Sequence, residues 1–162
     1  MIERTLVLLK PDAIKRGLAG RIIQRLEDTG LKIVGCQMRT VDDDLARRHY
    51  NDLEQRIGPT AFGAVLRYMQ SGPVIALALE GDGAVAVVRK IVGGTFPSEA
   101  APGTIRGDLC HQARRGVDQQ NLAVFNLVHA SGSPDEATQE LALWFGPDQF
   151  FSYTRLDQEY TL

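Results

Sequence analysis

Leu122-Ala123-Val124-Phe125-Asn126-Leu127-Val128-His129-Ala130-Ser131-Gly132-Ser133-Pro134-Asp135-Glu136 is the stretch on which the architecture turns. Residues 122–128 have the branched and aromatic content of a buried strand. Ser133-Pro134-Asp135-Glu136 then reads as a helix start: Ser133 the N-cap, Pro134 the first helical residue, Glu136 the reciprocal acceptor of a capping box. His129 falls in the connection between them, where an imidazole can face a cleft while its backbone stays fixed. A lone histidine there reads first as a buried or half-buried strand residue with a backbone hydrogen bond, and only its neighbours can change that.

Upstream, Thr5 to Leu9 is a continuous apolar run that suits a central strand, and it ends at Lys10-Pro11-Asp12. Ala19, Ile22, Ile23 and Leu26 mark one helix face that Gly30 can terminate. Leu31 to Met38 reads as a second strand. Asp42 to Asp44 cap a helix carrying Leu45, His49, Tyr50 and Leu53 as far as Ile57-Gly58-Pro59, and a shorter helix follows from Thr60 to Met69. Val74 to Leu79 is a third strand, and Asp82 is expected to cap a helix with Val85, Val88, Ile91 and Val92 inward, ended by Gly93-Gly94. Thr95 to Arg106 reads as a long functional loop, and the last helix runs from Pro134 to about Phe145.

Strand-helix-strand, helices, strand-helix-strand predicts an α+β chain. The expected architecture is a ferredoxin-like split βαβ sandwich, a four-stranded antiparallel sheet with helices packed on one face. The 162 residues fit one domain, with Gln112 to Asn121 an exposed excursion ahead of the fourth strand. Beyond Gly146-Pro147 an aromatic tail is expected to cover either its own domain or a neighbouring subunit.

The 44% hydrophobic and 23% charged content is that of a soluble globular protein with no membrane segment. The start of the chain lacks signal-peptide form, so a cytoplasmic location is expected. A net charge of −2 argues against bulk nucleic-acid affinity but leaves room for a local basic pocket. Cys36, Cys110 and His111 lack paired ligand spacing; two reduced thiols and no protein metal site are expected.

Lys10 at a strand end, Arg89 near a helix end, Thr95 after two glycines, and Arg106 stand where the chain turns. Cations at such places suit phosphate oxygens, although each alone is uninformative. In order along the chain come Leu9-Lys10-Pro11-Asp12, Ser71-Gly72-Pro73-Val74, Pro102-Gly103-Thr104-Ile105-Arg106-Gly107-Asp108, Asn126-x-x-His129 and Leu143-Trp144-Phe145. With these the chain resembles the nucleoside diphosphate kinases from about Ile2 to Tyr153. That resemblance implies ping-pong transfer of the γ-phosphoryl group of a nucleoside triphosphate to a nucleoside diphosphate.

The resemblance makes His129 the nucleophile, through Nδ1, with Glu140 orienting the ring and Ser131 beside it. An unperturbed imidazole, with a pKa near 6.5, is mostly neutral at pH 7 and attacks without a separate base. Lys10, Tyr50, Arg89, Thr95, Arg106 and Asn126 match phosphate and ribose contacts, Lys10 and Asn126 reaching sugar hydroxyls and Tyr50 lying near the histidine. Phe62 is carried as the base-stacking candidate, although counting back from Tyr68-Met69 puts that position on Ala61. Mg²⁺ is expected to arrive with the nucleotide. A homo-oligomer, as dimer, tetramer or hexamer, is expected as well.

The chain also departs from the usual Asn-x-x-His-Gly-Ser-Asp by Ala130 and Gly132. Ala130 asks for a negative φ or tolerated strain, and Gly132 removes a carboxylate near the helix start. An inserted segment at about 112–122 lengthens the chain by about ten residues, at small loop-entropy cost, and a smaller insertion surrounds Ile57 to Thr60. A catalytically weakened nucleotide-binding or regulatory module of the same fold is therefore the second expectation. A ferredoxin-like nucleic-acid binder is disfavoured because the strands lack interleaved aromatic and basic residues.

Overall fold

The computed structural model describes residues 1–114, 117 and 123–161. Its strands are β1 (Ile2–Leu9), β2 (Lys32–Arg39), β3 (Val74–Asp82) and β4 (Val128–Ala130), in the order β2-β3-β1-β4 with every neighbouring pair antiparallel. The helices are α1 (Pro11–Lys15), α2 (Ala19–Glu27), α3 (Asp43–His49), α4 (Leu53–Ile57), α5 (Pro59–Met69), α6 (Ala84–Val92), α7 (Ile105–Leu109), α8 (Pro134–Trp144) and α9 (Gln158–Thr161). Among the described residues no helix is long and apolar enough to cross a membrane.

The α+β sandwich with a four-stranded antiparallel sheet is as expected, but the helices cover both faces of the sheet. The reason lies in β1, where Leu6, Val7, Leu8 and Leu9 are all fully buried. Successive side chains point to opposite faces. Val7 and Leu9 join Ile22, Leu26, Val88 and Val92 of α2 and α6. Leu6 and Leu8 join Leu45, Phe62, Leu66, Leu141 and Trp144 of α3, α5 and α8.

Several boundaries differ from expectation. Of the run 122–128, residue 122 lies outside the described residues, and 123–127 do not form a strand: β4 begins only at Val128, because Leu127 has a φ of 66° and breaks the extended run. His129 therefore lies inside β4. Asp82 does not cap α6; it ends β3 and meets the Met1 ammonium, while Gly83 precedes the helix and the Val85 N–H donates to Glu3 Oε1 at 2.9 Å. The helix from Asp42 breaks after His49 into α3 and α4. Asp42 does cap α3, accepting from the Leu45 N–H at 2.8 Å. Arg106 lies in α7, capped by Thr104, and not in open loop.

The aromatic tail covers its own domain: the Phe151 N–H donates to the Val34 carbonyl at 2.8 Å, along the edge strand β2. The excursion expected at 112–122 falls mostly outside the described residues. At its base, the Gln112 side chain accepts the Phe125 N–H at 2.6 Å.

Candidate functional site

Register places the site. Leu8 of β1 pairs with His129 of β4, so His129 shares the face that α3 and α8 cover. Ser131, two residues on, points the same way. On α8 the buried positions are Ala137, Glu140, Leu141 and Trp144, a helical stripe that carries one carboxylate. A buried carboxylate needs partners. Glu140 finds them in β4 and just beyond it: Oε1 lies 2.7 Å from His129 Nε2, and Oε2 accepts the Ser131 hydroxyl at 2.6 Å.

This arrangement selects a tautomer. With Glu140 ionised, the proton it shares with His129 belongs on Nε2, which leaves the lone pair on Nδ1, an atom that hydrogen-bonds to no described residue. Burial holds the His129 pKa well below its usual value, reinforced by the charges of Lys10, Arg106 and Arg89. Burial also raises Glu140, with His49 and the Ser131 hydroxyl pulling the other way. The result is a neutral imidazole in the field of Lys10, Arg106 and Arg89.

Lys10 is buried at the end of β1, where Nζ donates to Asn126 Oδ1 at 2.8 Å. Burial and the Arg106 charge bring its pKa down to about 7, against the opposing pull of Asp12 and Cys110. Asn126 Nδ2 in turn donates to the Thr95 carbonyl at 2.8 Å. Arg106 is buried too, and its guanidinium donates to the carbonyls of Gly93, Asn126 and Val128 at 2.9, 3.3 and 2.5 Å. The Gly93 end of that brace needs glycine: at a φ of 86°, an added Cβ would lie 2.5 Å from Thr104 Oγ1. Arg89 reaches the Ala130 carbonyl at 3.5 Å from an exposed position. The Tyr50 ring centroid lies 6.2 Å from that of His129, and its hydroxyl is buried without a partner among the described residues.

Glu140 and Tyr50 thus lie by the His129 imidazole, with Ser131 on Glu140; Lys10, Arg89 and Arg106 act on it by charge, and Asn126 and Thr95 join through Lys10. Phe62 is left out. That ring is buried in the core under α3 and α5, with the Arg47 guanidinium 5.6 Å from its centroid, so the base-stacking role expected of it has no support at this position. Sequence reading missed His49, whose ring stands 4.4 Å from that of His129 at 79° and accepts from Trp144 Nε1 at 3.2 Å. Burial drops its pKa to about 3, helped by the nearby His129. The signal was its place on the apolar side of α3. Asp12 was also missed as a participant, although it belongs to the motif with Lys10.

His49, His129 and Glu140 offer three possible metal-ligand atoms within 4.8 Å of one another. Glu140 Oε1 already meets His129 Nε2 and His49 Nδ1 already accepts from Trp144, and two imidazoles suit zinc better than magnesium. A cavity of about 540 Å³ touches His49 and Glu140, but its lining includes neither Lys10, Arg106 nor Asn126.

Residues 3–150 match the family profile described as nucleoside diphosphate kinase. The chain belongs to the nucleoside diphosphate kinase family. The nucleoside diphosphate kinase of Mycolicibacterium gilvum is 51% identical over 146 residues, covering 90% of this chain and 98% of its own length. The structure resembles a transition-state mimic of the Borrelia burgdorferi nucleoside diphosphate kinase with bound vanadate and ADP. The TM-score is 0.95 at 33% identity, over 99% of this chain and 96% of that one. A Halobacterium salinarum nucleoside diphosphate kinase in complex with CDP gives a TM-score of 0.86 at 38% identity, covering 99% and 98%.

Against the usual nucleoside diphosphate kinase sequence, Ala130 is accommodated without strain, as a strand residue whose φ is not positive. At Gly132 the N–H donates to Glu136 Oε2 at 2.8 Å. Glu136 therefore caps the turn before Ser133 and does not complete the reciprocal capping box expected of it. Ser133 does cap α8, accepting from the Glu136 N–H at 3.1 Å.

Proposed function

We propose that this nucleoside diphosphate kinase works by ping-pong transfer through a phosphohistidine at His129. The observation that carries this reading is the 2.7 Å contact between Glu140 and Nε2, which leaves Nδ1 with its lone pair. In the first half-reaction Nδ1 attacks the γ-phosphorus of a nucleoside triphosphate such as ATP. The bond to the bridging oxygen breaks, and the nucleoside diphosphate leaves with that oxygen. The Nε2 proton stays on the ring, where Glu140 balances the charge that develops. In the second half-reaction a terminal phosphate oxygen of another nucleoside diphosphate attacks, the N–P bond breaks, and the neutral imidazole returns.

Transfer of this kind rests mainly on positioning and on cations around the spreading charge. Arg106, Arg89 and Lys10 supply that field, and their influence on the imidazole supports the assignment. Lys10 and Asn126, already bonded to each other, are assigned to the ribose hydroxyls, and Thr95 and Tyr50 to the phosphate end. Ser131 fixes the second oxygen of Glu140. Mg²⁺ enters as part of the substrate, held by phosphate oxygens and water; Glu140, committed to His129 and Ser131, has no oxygen free for it. The ADP and CDP of the two solved relatives support nucleotide occupancy here, and their different bases accord with a base-tolerant site. A cytoplasmic homo-oligomer, as dimer, tetramer or hexamer, completes the reading, supported by family membership and two unpaired cysteines.

The test is mass spectrometry after brief exposure to Mg-ATP, then a GDP chase. Gain of one phosphoryl group on His129, removed by GDP, is expected. Nucleotide binding with no gain would replace this reading with a binding or regulatory module, to which Gly132 would then be the leading clue.

A further inference from the structure

Leu127 is the one non-glycine residue with a positive φ among the described residues, and it is fully buried. The Val128 N–H donates to the Asn126 carbonyl at 2.7 Å, closing a three-residue turn about Leu127. With a central φ of 66°, this is the rarer and more strained of the two γ-turn forms. Such strain persists only where the surroundings over-determine it, and it clusters at functional sites. Here the turn separates Asn126, the partner of Lys10, from β4, which carries His129.

What holds the turn comes from the end of β1. The Lys10 N–H donates to the Leu127 carbonyl at 2.8 Å, and the Leu127 N–H donates to Asp12 Oδ2 at 3.1 Å. The other Asp12 oxygen accepts the Tyr68 hydroxyl at 2.5 Å and the Ala13 N–H at 3.0 Å. The carboxylate is thus fixed from α5 and α1 before it reaches Leu127. Without it, the buried Leu127 N–H would have no acceptor.

We propose that Asp12 is a positioning residue for phosphoryl transfer: its carboxylate locks the γ-turn at Leu127 and so sets the direction of Asn126 and His129. This rests on the reading of His129 as the phosphorylated residue. Relaxing the turn would shift the imidazole relative to the cations, and a displacement of about 1 Å at a reacting group can cost about a hundredfold in rate. Asp12 also acts on Lys10 by charge. That is a separate effect, which the test must distinguish.

The experiment measures single-turnover phosphorylation of His129 by Mg-ATP, well below the melting temperature, in the unsubstituted protein, Asp12→Ala and Asp12→Asn. Nucleotide affinity and thermal melting are recorded alongside. Asp12→Ala should stay folded, bind ATP and phosphorylate about a hundredfold more slowly. Asp12→Asn lacks the charge but keeps an acceptor for the Leu127 N–H, and should recover most of the rate. Equal losses in both variants would assign the effect to charge and overturn the clamp. An Asp12→Ala protein that is less stable but phosphorylates at the full rate would overturn it too, leaving a purely structural carboxylate. Should Asp12→Ala fail to fold, Asp12→Leu, which keeps bulk but offers the Leu127 N–H no acceptor, takes its place beside Asp12→Asn, with the same outcomes deciding. If the unsubstituted protein forms no phosphohistidine, the assignment of His129 fails and the clamp with it.

Discussion

The Glu136 carboxylate occupies the space into which a side chain at Gly132 would grow: a Cβ there would come within 2.6 Å of Oε2. Where relatives commonly place an aspartate, this chain keeps a glycine and returns a carboxylate from the first turn of α8. Gly132→Asp alone should displace Glu136, lose its hydrogen bond to the Gly132 N–H and lower stability by about 1 kcal/mol. Gly132→Asp combined with Glu136→Ser should restore it. Thermal melts of the two singles and the double close a mutant cycle; strict additivity would show that the two positions are independent.

Glu140→Gln preserves volume but changes what faces Nε2 and the Ser131 hydroxyl. The imidazole then loses the anion that fixes its tautomer and balances its charge on phosphorylation. A drop of about 10- to 100-fold in the phosphorylation rate is expected, with nucleotide affinity little changed. Stopped-flow transfer from ATP checks this, and an unaltered rate would remove Glu140 from the mechanism.

Lys10, with a pKa of about 7, is largely neutral in the free protein at pH 8. A phosphate-bearing ligand beside it favours the charged form, so nucleoside diphosphate binding at pH 8 should take up close to one proton. Calorimetry in buffers of different ionisation enthalpy measures the uptake, and Lys10→Met should abolish it. The same shift has a stability counterpart. Between about pH 7 and the ordinary lysine pKa of 10.5 the unfolded chain holds the proton and the folded one does not, so stability rises with pH across that window.

His49 and His129 are both held neutral by burial, His49 down to about 3 and His129 well below 6.5. Below pH 6.5 the unfolded chain gains protons that the folded chain refuses, so the stabilisation present above 6.5 is lost as pH falls toward 3. Glu140, raised by burial, works in the opposite sense. Denaturant melts from pH 7 to 4 should show the decline, and His49→Phe should flatten part of it. A slope unchanged in that variant would mean that His49 is not the group taking up protons.

Much of this was legible in the chain because it is encoded locally. The cap at Ser133 and the apolar runs of β1, β2 and β3 each announce themselves within a few residues. The unbroken run in β1 carried the signal that both faces of the sheet are covered, which the expectation of helices on one face did not use. What stayed hidden was tertiary. Residues 122–128 look like a strand, but Asp12 and Lys10 pull Leu127 into a turn from 115 and 117 residues away along the chain. α1, with five residues, is too short to show a period. Tyr68 and Phe62 lie on the same helix, and only packing reveals that one serves Asp12 while the other fills the core.

β4 has three residues, forms the edge of the sheet and pairs with β1 at only three positions. His129 therefore rides on the strand with the least ladder to hold it. Beyond one flanking backbone bond at each end, side chains add support: Arg106 through the Val128 carbonyl, Ser131 and Glu140 on the His129 side, Asp12 from the turn before it. A fluctuation that frees this edge can unseat His129 while β1, β2 and β3 remain zipped. Catalytic competence and global integrity are thus separable in this molecule: a population can lose the first, reversibly, and still melt, migrate and scatter light as the native protein.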